Sequence, residues 1–207
     1  MELEIPALWR ACETRDLPLL MESLTAENME ERSPNEAYSP LMVCANYCAP
    51  DLVSYLLEKG ANVNAQSDGG MTALMLAMNP NEPEAPLVVK RLLAGGADVN
   101  IASGGGNSAL MEAAHLGNTE ILRLLLAAGA SVNHRNQYGE TALMTGSMSR
   151  GTVENVELLL LAGADAALAD VDGLTAPMLS VKYRNQAVYE LYKARGLNTE
   201  TGAGAAV

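Results

Sequence analysis

Two short words recur along this chain at one spacing, and that spacing constrains the fold more than any other property of the sequence. Thr72-Ala73-Leu74-Met75 returns as Ser108-Ala109-Leu110-Met111, as Thr141-Ala142-Leu143-Met144 and, altered, as Thr175-Ala176-Pro177-Met178, at steps of 36, 33 and 34 residues. Gly60-Ala61, Gly96-Ala97, Gly129-Ala130 and Gly163-Ala164 repeat with the same three steps. Two independent markers sharing one period define an array of like units, each contacting its neighbours.

The unit is clearest in residues 106–133, GNSALMEAAHLGNTEILRLLLAAGASVN. Leu110, Ala113 and Ala114 fall on one face of a first helix, and Ile121, Leu122, Leu124, Leu125 and Leu126 make a second, more apolar run. Ser108 suits a helix start, with the Glu112 carboxylate near the positive end of the helix dipole, and Gly129 suits the left-handed closure of the second helix. Helices shorter than about 12–15 residues are marginal alone in water, so each pair needs neighbours to bury its apolar faces.

A period near 33 with these words resembles the ankyrin repeat, whose signature is Thr-Pro-Leu-His-x-Ala in a turn followed by two helices. The resemblance runs from about Ala7 to Leu197. It departs in one consistent way: Met42, Met75, Met111, Met144 and Met178 stand where the family usually has His. That exchange removes a hydrogen bond and substitutes flexible apolar filling, so core packing is expected of the Met row. The Thr-Ala-Leu-Met variant is similar to bacterial ankyrin proteins. The implied fold is an all-α repeat solenoid of helix-turn-helix pairs joined by hairpin-like fingers.

On that pattern residues 1–207 form one array. Residues 6–37 are an amino-terminal capping repeat with an acidic loop, 38–65, 66–100, 101–133 and 134–166 are repeats, 167–198 a carboxy-terminal cap and 199–207 a disordered tail. Trp9 takes the slot Met fills elsewhere and is expected to be a half-buried capping aromatic. In the longest unit, Asn79 to Pro86 carries three prolines between its helices, which no helix continues through. Such an insertion suits either the binding side or tolerated loop drift. Gly146 replaces the usual Ala and should weaken its helix by up to about 1 kcal/mol.

With no Phe and one Trp, the core has to come from Leu, Ala, Val and Met. Three cysteines, Cys12, Cys44 and Cys48, suit a reducing compartment. Cys44 and Cys48 stack four apart on a helix, yet the two histidines belong to later repeats, so small-residue packing is expected there rather than metal. The amino terminus is acidic where a signal peptide is basic, and no run reaches the ~20 apolar residues of a membrane helix. A soluble, monomeric, cytoplasmic protein follows as the expectation, with secretion by a route that leaves no amino-terminal mark still open. The net charge is −12, and residues 1–36 hold nine acids against three arginines. This disfavours nucleic acid; a basic protein partner and simple solubility both account for it.

Catalytic signals are sparse: there is no nucleophile elbow, and the triplet Gly104-Gly105-Gly106 lacks the Lys-Ser/Thr and strand context of a phosphate loop. A flexible or closely approached hairpin tip suits the triplet better. No cofactor, metal or enzyme activity is expected. The resemblance implies binding of another protein along the fingers and the exposed side of the first helices. Position by position that strip contains Asp68, Met71, Asn79, Gly104, Asn107, His115, Leu116, Gln137, Tyr138, Glu140, Met148, Val171, Asp172, Leu174, Lys182 and Tyr183. Tyr138 and Tyr183 are its expected anchors, since tyrosine brings contact area at low entropy cost. An adaptor, or an inhibitor or immunity protein occluding a basic active site, would both use such a strip; an enzyme or small-ligand carrier is the contrasting class.

Overall fold

The computed structural model describes residues 6–33, 37–79, 81–148 and 151–197, so the expected tail at 199–207 lies outside the described residues, as do parts of the acidic and proline-rich loops. The chain divides into two compact units, Met1–Gly104 and Gly105–Val207.

Unit 1 holds α1 (Ala7–Thr14), α2 (Leu17–Ser23), α3 (Pro40–Asn46), α4 (Pro50–Glu58), α5 (Ala73–Leu76) and α6 (Ala85–Ala94). Each odd helix packs on the even helix that follows it. The odd helices form one row, α1 against α3 against α5, and the even helices a second, α2 against α4 against α6. Unit 2 repeats the plan with α7 (Ala109–Leu116), α8 (Thr119–Ala127), α9 (Ala142–Gly146), α10 (Val153–Leu161), α11 (Ala176–Lys182) and α12 (Gln186–Ala194). Its rows are α7, α9, α11 and α8, α10, α12.

The recurring word builds the first helices directly. Ser39, Thr72, Ser108 and Thr141 are N-caps whose hydroxyls accept the backbone N–H of Met42, Met75, Met111 and Met144 at 3.3–3.4 Å. The leucine before each Met, at 41, 74, 110 and 143, is fully buried, each such side chain contributing roughly 1.5–3 kcal/mol against exposure. Met42, Met75, Met111 and Met144 are buried core, and Met178 in the last unit is half-exposed. Trp9 is more deeply placed than expected, fully inside unit 1.

The carboxy-terminal pair closes unit 2 with polar groups as well as apolar ones. Tyr192 of α12 is entirely buried, its hydroxyl 2.7 Å from Ser147 Oγ, which donates in turn to Leu143 O at 2.6 Å. Burial pushes the Tyr192 phenol well above its ordinary value of 10.0, with the Ser147 hydrogen bond pulling the other way. Asn185 Nδ2 donates to Met148 O and Gly151 O, pinning the turn after α9.

The cysteines are placed differently from the stacked pair that spacing suggests. Helix α3 ends at Asn46, and Cys48 sits beyond it in left-handed backbone at φ 49°, so Cys44 and Cys48 do not share a helix. All three thiols are free and fully buried, Cys12 Sγ lying 3.8 Å from Pro40 O and Cys48 Sγ 3.9 Å from Ala77 O. Burial, and then the neighbouring Cys12 thiol, raise the Cys44 thiol well above 9.0.

Of the proline-rich insertion, Glu82 forms a 2.9 Å ion pair with Arg15 in the α1–α2 turn, at the edge of unit 1 where first helices meet second helices. Asn79 belongs to this loop, its carbonyl accepting the Glu82 N–H.

Candidate functional site

The fingers precede the first helices and share one construction. In unit 1 the Ser67 N–H donates to Met71 O at 2.9 Å, and Ser67 Oγ accepts the Met71 N–H at 3.1 Å. In unit 2 the same closure joins Asn136 N–H to Glu140 O at 3.0 Å and Asp170 N–H to Leu174 O at 2.9 Å. Asn136 Oδ1 accepts the N–H groups of Tyr138 and Glu140, and Asp170 Oδ1 those of Asp172 and Leu174. Short Asx and Ser side chains at the head of a turn do this because their oxygens reach the backbone two residues on.

Neighbouring fingers in unit 2 are joined backbone to backbone. Gln137 N–H donates to Gly105 O at 3.2 Å and Val171 N–H to Tyr138 O at 2.9 Å. The tips are thereby held in register, and their side chains project from a fixed frame. Tyr138 is 64 % and Val171 69 % exposed, the two most exposed large apolar side chains on these fingers. Gln137 and Asp172 beside them are exposed as well.

Behind the tips lies a polar chain that crosses two fingers. Asn136 Nδ2 donates to Asn107 Oδ1 and to Glu140 Oε2, both at 2.8 Å, and Asn107 Nδ2 donates to Glu112 Oε1 at 3.2 Å. Glu112 and Glu140 are half-exposed, and among the described residues neither carboxylate forms an ion pair. The cation nearest Glu140 in sequence, Arg135, instead donates to Ala169 O at 2.7 Å. The sequence marks Asn107 and Glu140 for this surface but assigns Glu112 only to the helix dipole. Its membership depends on the Asn107 bridge, which spacing alone does not display.

The remaining strip residues of unit 2 gather at the far ends of α7, α9 and α11. His115, Lys182 and Tyr183 are exposed there, Leu116 and Met148 half-buried, and Lys182 Nζ lies 5.9 Å from the Tyr183 ring. A first helix of seven or eight residues separates this group from the fingertips by about 10 Å. Tyr138 and Tyr183, the expected anchors, thus stand exposed at opposite ends of one helix row. Leu174 is half-buried beneath its own finger.

In unit 1 the structure brings Asp68 and Met71 together on one finger, with Asp68 exposed and Met71 half-buried, and leaves Asn79 apart on the helix-turn-helix edge. The tips here carry almost no side chain. Gly104 N–H donates to Gly69 O at 2.8 Å, and a Cβ on Gly70, at φ +73°, would stand 2.5 Å from Gly104 N. The glycine-rich stretch is therefore a closely approached tip, as its composition suggests.

Among the described residues, no helix is long and apolar enough to cross a membrane, and no three His, Cys, Asp or Glu side chains stand close enough to hold a metal ion. A family model described as ankyrin repeats (3 copies) matches residues 8–85 and again 79–170. Ankyrin repeats are generally protein–protein interaction modules and typically non-enzymatic. The match runs from α1 to α10, short of the last helix pair, and over most of the sequence, and on that ground the chain belongs to the ankyrin-repeat family.

Proposed function

We propose that this protein binds a partner protein, without chemistry of its own, through the fingers and first-helix row of unit 2. The observation that carries this reading is the pair Tyr138 and Val171: two large apolar side chains held at the tips of hydrogen-bonded fingers and left in solvent. Exposed aromatic area on a rigid support is what interfaces use as anchors, because little entropy is lost when it is covered. Tyr183, 42 % exposed, supplies a second anchor at the other end of the row.

Adaptor and inhibitor are both uses of such a surface. The inhibitor reading draws on the acid surplus of unit 1, fifteen acids against six bases, which would steer a basic target into contact. The adaptor reading needs no such steering and is preferred. The test is capture from the source cell with the native chain and with Tyr138→Ala/Tyr183→Ala, helical content being checked by circular dichroism. Partners held by the first and lost by the second, at equal helicity, support the assignment; an unchanged set of partners removes it.

A further inference from the structure

Resting on that reading, we infer that the fingertips of unit 2 take a basic segment of the partner, one Arg or Lys of which lies along the Tyr138 ring with its charge between Glu140 and Glu112. The surface is apolar at the rim and anionic just behind it. Tyr138 and Val171 are locked side by side by the bond from Val171 N–H to Tyr138 O. Glu140 is fixed to the same finger, since Asn136 Oδ1 accepts the N–H of both Tyr138 and Glu140. Glu112 is brought in through Asn107 and Asn136.

Each carboxylate accepts one side-chain amide N–H in this chain, from Asn136 or Asn107. A carboxylate has about four acceptor positions, so most of its capacity is left for a donor from outside. Arg135, five residues before Glu140, donates to the next finger's backbone at Ala169 O, Arg123 pairs with Glu154, and His134 Nε2 lies 2.8 Å from Gly106 O. Lys182, the exposed base of the same row, stands by Tyr183 at the other end of α11. A guanidinium or ammonium meets this combination of aromatic face and half-buried carboxylates with complementary charge, whereas an acidic or purely apolar segment would leave two negative charges desolvated.

The experiment is selection of a displayed library of random dodecapeptides on the full-length protein, followed by titration of the enriched peptides against variants. Glu112→Gln/Glu140→Gln is the central variant, because a glutamine oxygen still accepts from Asn107 or Asn136 while the charge is gone. Enrichment of Arg- or Lys-containing peptides is expected, with affinity weakened about tenfold or more by the double glutamine variant, by Tyr138→Ala and by added salt. Enriched peptides without basic residues that still require Tyr138 would overturn the basic-segment proposal and leave the binding face standing. Enriched peptides indifferent to Tyr138→Ala and Tyr183→Ala would overturn both. Selection of no peptide at all would overturn the linear-segment proposal, and the capture experiment with folded partners then decides the face alone.

Discussion

The fingers of the two units are built alike and tipped differently. In unit 1, Gln66 Nε2 donates to Ala102 O of the next finger, and in unit 2 Arg135 does the same to Ala169 O. Asn64 and Asn133 likewise reach the following turn, donating to Gly96 O and Gly163 O and accepting from Asp98 N–H and Asp165 N–H. At the tips the likeness ends. Ser67-Asp68-Gly69-Gly70 in unit 1 corresponds to Asn136-Gln137-Tyr138-Gly139 in unit 2, so glycine stands where unit 2 has its most exposed aromatic. The joints and the tip backbones are both fixed by hydrogen bonding, Gly104 N–H to Gly69 O in unit 1 as Val171 N–H to Tyr138 O in unit 2, so it is the side chains at the tips that can differ without loss of the fold. Unit 1 leaves its tips bare, whereas Tyr138 and Val171 of unit 2 add exposed side chains to the same kind of backbone contact.

The sharpest separation of the two is expected at the shared turn glycine. Gly70→Ala should destabilise by about 3 kcal/mol, combining left-handed backbone with a clash against the Gly104 backbone 2.5 Å away. Gly139→Ala at φ +72° should cost about 1–2 kcal/mol, since its nearest obstacle is the movable end of Arg135. Denaturant unfolding of both variants measures the difference, and equal losses would mean that unit 1 gains nothing from its close approach. Next in size is Tyr192→Phe, which removes the hydroxyl paired with Ser147 and should cost about 1 kcal/mol.

Alkaline pH separates the units in a second way. A raised pKa in the folded state means stability that is intact below the unfolded value and lost as pH climbs from there toward the folded one. Cys44 in unit 1 begins to withdraw its share above pH 9.0, and Tyr192 in unit 2 above pH 10.0. Cys44→Ala should flatten the first part of the alkaline decline in stability and Tyr192→Phe only the later part; a reversed order would break the comparison. The smallest change is expected from Gly69→Tyr, which gives unit 1 the dressed tip of unit 2. A Cβ there meets only Ser67 Oγ at 3.9 Å, so unfolding free energy should move by less than about 0.5 kcal/mol.

The period was legible because two words recur at one spacing, and the capping hydroxyls and buried Leu-Met pairs because each depends on residues within one turn of each other. Tyr138 was legible through finger positions carried across from the ankyrin resemblance, and the structure shows it exposed. The end of α3 was not, because Cys48 takes left-handed backbone although it is neither Gly nor Asn. The acidic loop reads as an exposed charge run, yet Glu30 Oε1 accepts the Asn62 N–H and Arg32 donates to Gln66 O. Those two residues perform what Asn64 and Gln66 do one repeat later, with different side chains, so no spelling of the motif reveals them. Glu112 escaped for want of the register between two fingers, which only the folded backbone supplies.

In a stack where each layer touches only the layers beside it, loosening at one end travels inward step by step. The Arg15–Glu82 contact breaks that rule, because it ties the first layer to the third over the turn of the second. An ion pair of this exposure is worth about 1 kcal/mol or less, so it adds a small increment to the cost of opening the first layer of unit 1. Fraying from that side therefore costs a little at the third layer as well as at the second, a coupling that added salt would weaken.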